Sequence, residues 1–154
     1  MTHETRVNLG TQHPTSYKAL IALSSAAEQN AAAAGLDALL VELVKLRTSQ
    51  INGCAFCLRL HTRDALTRGE TPDRLAVLSA WRETAYFSDR ERAALALVES
   101  LTLIADTHAA DGDEATAREV LSADEHAAIA WLTIVMNAFN RVAITSRYDV
   151  APVS

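Results

Sequence analysis

Apolar positions recur at helical spacing along most of the chain, and the runs are bounded by residues that start or stop helices. An Ala- and Leu-rich segment from Tyr17 to Ala34 closes at Gly35, a residue suited to the left-handed position after a helix end. Asp37 can cap a second helix, whose Leu39, Leu40, Leu43, Val44 and Leu46 form an apolar stripe and which Asn52-Gly53 stops. A third helix is predicted from Cys54 to Arg68, with Leu58, Leu60, Ala65 and Leu66 apolar and Gly69 as terminator. Thr71-Pro72 puts proline at the first position of a fourth helix that ends around Trp81 to Tyr86. Ser88-Asp89-Arg90-Glu91 and Ser122-Ala123-Asp124-Glu125 match capping boxes, opening a fifth helix through Ala105 and a long last one through Val142. Between these two, His108 to Asp113 reads as a loop and Glu114 to Val120 as a short helix. Residues 1–13 and 150–154 are expected to fray, with Pro152 barring helix continuation. The pattern predicts one all-α domain over residues 1–154, an antiparallel bundle of six to seven helices.

Composition agrees and narrows the function. At 154 residues the chain can bury one core, and with 5% aromatics, 5 Gly and 3 Pro it is dominated by helix formers. Hydrophobics at 49% and charged residues at 21% exclude a disordered chain, and no stretch approaches 18 uninterrupted apolar residues, so no membrane partner is expected. A net charge of −5 without any Lys/Arg cluster argues against nucleic-acid binding. Met1 to Gly10 is polar and lacks the apolar core of a secretory signal, so a cytoplasmic location is expected. That compartment keeps ordinary disulfides reduced, which gives weight to the placement of the two cysteines at Cys54 and Cys57.

Both thiols fall in the first turn of the third helix, where unpaired N–H groups and the helix dipole favour a thiolate, so a lowered cysteine pKa is expected. A spacing of i, i+3 puts them on one face, close enough to close a disulfide. His61, four residues after Cys57, shares that face and offers a proton acceptor. If the second and third helices are antiparallel neighbours, Glu42 lies roughly 15 Å from the turn and His61 roughly 12 Å, at similar depth. A carboxylate there can fix the imidazole tautomer, completing a nucleophile, base and carboxylate set.

Plainer readings exist for the same residues. A zinc site normally takes four ligands, and His61 with two thiols supplies three. The cysteines could be small core residues, and Glu42 a solvated side chain paired with Lys45. His3, His13, His108 and His126 lie in a tail, a loop or a first helical turn and are assigned no role. Trp81, Trp131, Phe87 and Phe139 read as core or interface.

The run from Glu42 to Ala65, with its Asn52-Gly53 turn, Cys54-Ala55-Phe56-Cys57 and His61, resembles the signature of the carboxymuconolactone decarboxylase superfamily, alkyl hydroperoxidase D-like branch. Ser79 to Glu83, Asp89 to Ala96, Pro14 to Leu23 and Asn137 to Arg141 fit the same branch. The resemblance implies an all-helical fold in homo-oligomers, trimers or hexamers, with the redox site near subunit contacts. It implies Cys57 as the attacking and Cys54 as the resolving cysteine, with Glu42 and His61 as proton relay. It also implies peroxidase chemistry on a hydroperoxide, recycled by a dithiol partner of thioredoxin-like or dihydrolipoamide type, with no haem, flavin or metal. Better-known members carry histidine directly before the second cysteine; this chain has Phe56, which passes on no proton. The decarboxylase branch lacks the CxxC chemistry, so the cysteines favour redox over lactone decarboxylation. A general disulfide oxidoreductase or redox sensor, a helical oligomerisation module with vestigial cysteines, and a carboxymuconolactone decarboxylase-like lyase are the alternatives.

Overall fold

The computed structural model describes residues 6–153, and those residues form nine α-helices with no strand among them. They are α1 (Leu9–Gln12), α2 (Pro14–Ala33), α3 (Ala38–Asn52), α4 (Ala55–Thr67), α5 (Pro72–Val77), α6 (Asp89–Thr102), α7 (Ile104–Thr107), α8 (Asp111–Val120) and α9 (Ala123–Ser146). A 3₁₀ segment, Leu78–Glu83, continues α5. The expected caps are in place: Asp37 accepts from the Leu40 amide, and Ser88 and Ser122 each close a reciprocal capping box with Glu91 and Glu125. Gly35, Gly53 and Gly69 adopt positive φ.

The count exceeds six or seven because of two four-residue helices, α1 and α7, too short to show a periodicity. Residues 9–12 are helical where a frayed tail is expected. Asn8 caps α1, and the Leu9 amide donates to Ser146 Oγ at 3.0 Å, tying the start of the described chain to the end of α9. His3 lies outside the described residues. The expected loop at His108 to Asp113 is shorter than its polarity suggests: α7 ends with His108 and Ala109 at positive φ, and α8 starts at Asp111.

α3 is the centre of the bundle, packed by α4, α6 and α9. Leu40 and Val44 join Ala31 of α2, Leu97 and Val98 of α6, and Ile129 and Leu132 of α9 in the main core. Leu43 and Leu46, on another side of α3, join Ala65 of α4 with Leu78, Trp81, Phe87 and Leu95. Trp81 and Phe87 are therefore core residues, whereas Trp131 is 47% exposed. Each fully buried leucine here contributes roughly 1.5–3 kcal/mol of apolar transfer. The chain of α9 reaches a mean hydropathy of 1.5, long and apolar enough by length and composition to cross a membrane, but its apolar face packs on α2, α3 and α6. A third, small cluster brings Met136 and Ala143 of α9 against Cys54 and Cys57.

Candidate active site at the start of the fourth helix

Gly53, at φ +67°, ends α3 in a left-handed cap and reverses the chain within two residues, so α4 runs back along α3. Cys54 is the residue that caps α4, its sulfur accepting from the Cys57 amide at 3.4 Å. The thiols are free and 2.7 Å apart, both buried. Across the hairpin, His61 Nδ1 lies 3.0 Å from Glu42 Oε2, and both side chains are buried. The equal depth expected of Glu42 and His61 is thus realised as a hydrogen bond.

Glu42 is not the solvated partner of Lys45 that the plainer reading supposes. Its other oxygen, Oε1, faces two cations, Lys45 Nζ at 3.7 Å and Arg68 Nε at 3.6 Å, and Lys45 is anchored by Glu28 Oε1 at 2.5 Å. Burial by itself would raise the Glu42 carboxyl. The His61 hydrogen bond and the charges of Lys45, His61 and Arg68 outweigh it and hold the carboxyl below its ordinary value. An ionised carboxylate only accepts hydrogen bonds, so Nδ1 of His61 carries a proton, and in the neutral imidazole the lone pair lies on Nε2.

The expectation of a lowered cysteine pKa fails for Cys57. Its thiol is pushed up to about 12, first by burial and then by the hydrogen bond and charge of Cys54. The nearby Asn140 amide and the Cys57 backbone pull the other way without prevailing. The helix-start N–H of Cys57 donates to Cys54 Sγ, and α9 covers the Cys57 sulfur, so loss of solvation prevails.

Asn140 was visible in the sequence only as part of Asn137 to Arg141, without a role. It is fully buried, and its orientation follows from its neighbours. Oδ1 accepts from Asn52 Nδ2 at 2.9 Å, so Nδ2 is turned towards Ser49 Oγ at 3.1 Å and Met136 Sδ at 3.5 Å, on the cysteine side of α9. Cys57 and His61 line a cavity of about 170 Å³ with Lys45, Phe56, Leu60 and Phe139 among its walls. Tyr17, Met136 and Tyr148 also reach it, residues that no local pattern marks, because α2 and α9 meet α4 only in the folded chain.

Among the described residues, the metal-ligating atoms that cluster are those of Glu42, His61 and Asp64, within 4.8 Å of one another, and not the cysteines. Lys45 and Arg68 already balance the charge of that group, which makes it an ion-pair network in the first instance. His126 pairs with Glu114 at 3.3 Å, away from the cysteines in sequence and in the bundle.

Residues 14–100 match the model of the carboxymuconolactone decarboxylase family. The chain belongs to this family, in its alkyl hydroperoxidase D-like branch. It is 40% identical over 103 residues to YdfG of Bacillus subtilis, an uncharacterised protein, covering 67% of this chain and 70% of that one. It is 32% identical over 68 residues to the uncharacterised YnjA of Escherichia coli, covering 44% and 37%. The crystal structure of ATU0492 from Agrobacterium tumefaciens, a protein of unknown function and putative antioxidant defence protein AhpD, superposes with a TM-score of 0.86. That match has 34% identity and covers 98% of this chain and 100% of that one. Family membership brings the all-helical fold and suggests an enzyme-like or redox role.

Proposed function

We propose that this protein is a thiol-dependent peroxidase in which Cys57 attacks a hydroperoxide, Cys54 resolves, and His61 with Glu42 manages the proton. The observation that carries the reading is the Glu42 to His61 hydrogen bond in a helix hairpin whose cavity His61 shares with Cys57. A thiol held protonated needs a base at the moment of attack, and His61 Nε2 is available for it. Cys57 passes its proton to His61, the thiolate takes the distal peroxide oxygen, and the O–O bond breaks to release an alcohol that carries a proton away. The resulting Cys57 sulfenic acid condenses with the Cys54 thiol, releasing water and closing the disulfide. A dithiol reductant returns both thiols, and the cycle calls on no haem, flavin or metal.

Hydroperoxide consumption supported by a dithiol is expected to fall to background in Cys57→Ser. Unchanged turnover in that variant would sink the proposal. A general disulfide oxidoreductase or redox sensor is the second reading, favoured by the high Cys57 pKa and by apolar Phe56 between the cysteines. Oxidation of the reduced protein by hydroperoxide no faster than that of free cysteine would select it. For assembly we propose a homo-oligomer that covers Trp131 and Ile134, which α9 leaves 47% and 48% exposed. Sedimentation at the mass of a monomer would refute it.

A further inference from the structure

The two cysteines border different openings. Cys57 lines the cavity that holds His61, whereas Cys54 lines a separate cleft of about 380 Å³ at the start of α4. Phe56, Ala143 and Tyr148 are walls of both, and the Phe56 and Tyr148 rings meet edge to face with centroids 5.1 Å apart, forming a partition. The openings also differ in charge. Among the described residues, the cleft is lined by Arg6 and Arg147 and by no carboxylate, in a chain whose net charge is −5. The cavity instead carries Glu28, Lys45 and His61. Cys54 is 1% exposed, so whatever reaches it from the cleft must be slender.

We propose that hydroperoxide and reductant use separate entrances: the peroxide meets Cys57 in the His61 cavity, and a small carboxylate-bearing dithiol reopens the disulfide at Cys54 through the Arg6 and Arg147 cleft. The proposal rests on the peroxidase reading for the first half and on the cleft alone for the second. One thiol of the reductant gives its proton to solvent and attacks Cys54 Sγ as the thiolate, the Cys54 to Cys57 bond breaks, and Cys57 leaves as a thiolate that takes up a proton from solvent. The second reductant thiol then attacks the reductant sulfur bonded to Cys54, and Cys54 leaves as a thiol with the proton that second thiol gives up. Two electrons and two protons pass from the dithiol, which ends as a cyclic disulfide. Guanidinium groups at the rim attract a carboxylate and leave a neutral amide of the same shape without that attraction.

Dihydrolipoate and dihydrolipoamide are suitable probes, since they share a dithiol and differ in the carboxylate. The protein is first oxidised with diamide, so that reduction is measured without any peroxide. Dihydrolipoate is expected to reduce it about fivefold faster than dihydrolipoamide at low salt, as two rim cations allow. That advantage should vanish in Arg6→Gln/Arg147→Gln and shrink in wild type as ionic strength rises. Single-turnover oxidation of the reduced double variant by cumene hydroperoxide should match wild type. Equal rates for the two dithiols, or a preference that survives both substitutions and salt, would overturn the cleft assignment. Loss of the peroxide step in the double variant would overturn the separation of entrances. Failure of the peroxidase reading shows elsewhere, in a wild-type thiol that hydroperoxide does not oxidise.

Discussion

His61 and Glu42 are 19 residues apart and joined by a 3.0 Å hydrogen bond between buried side chains on the two arms of a helix hairpin. With the carboxylate ionised, the imidazole is held in the tautomer that leaves Nε2 free. Lys45 and Arg68 hold the far oxygen of the same carboxylate. The pair therefore sets the orientation of a base, and its two halves should fail differently.

His61→Gln is expected to lower kcat/KM for hydroperoxide about 100-fold, the usual contribution of a general base. Glu42→Gln keeps an acceptor but loses the charge, and should cost about tenfold. Steady-state peroxide reduction at saturating dithiol checks both. Equal losses in the two variants would mean that His61 acts only through the network.

Glu42 and Glu99 both have carboxyls held below their ordinary value. Burial opposes this at Glu99 as well, and hydrogen bonds from Arg82, Trp81 and Arg47 overcome it. A depressed folded pKa means that the unfolded chain binds more protons in acid. The stabilisation is present above the unfolded carboxyl value of about 4.5 and is lost as pH falls through the lower folded values. Urea unfolding between pH 7 and 3 should show this loss in wild type and a flatter profile in Glu42→Gln/Glu99→Gln.

Cys57 predicts the opposite limb. Its thiol is raised from 9.0 to about 12, so the folded state keeps a proton that the unfolded chain gives up. Stability should be undiminished by this group below pH about 9 and decline as pH climbs towards about 12. Cys57→Ala removes the titrating group and should soften that decline. Alkylation of wild type at pH 7 is expected to be slow and to accelerate with pH, measured by iodoacetamide labelling of the folded protein.

Asn140→Leu should destabilise the protein by roughly 2–4 kcal/mol, because Asn52 and Ser49 lose a buried partner. It also removes a group that lowers the Cys57 pKa, so the alkylation profile should move to higher pH. A purely structural Asn140 would change the denaturation midpoint and leave that profile in place.

The seven longer helices were legible because their signals are local. Apolar period, two capping boxes, Asp37 and glycines at chain reversals all lie within a few residues of what they control. α1 and α7 were not, since four residues carry no period. The level placement of Glu42 and His61 was also legible, because a tight turn at Gly53 converts residue count directly into depth along paired helices.

The acidity of Cys57 was not legible in this way. Its place in the first turn of α4 argues for a thiolate, yet desolvation by Met136 and Ala143 of α9, more than 75 residues onward, reverses the sign. The division of the two cysteines between a cavity and a cleft is equally long-range, since Tyr148 must meet Phe56 to separate them. The sequence by itself thus determined the helices, their caps, the closeness of Cys54 to Cys57 and the face shared by Cys57 and His61, all consequences of backbone geometry over one or two turns. Only the tertiary structure decided what covers each sulfur, because solvation and access depend on every element packed around an atom and not on the helix that carries it.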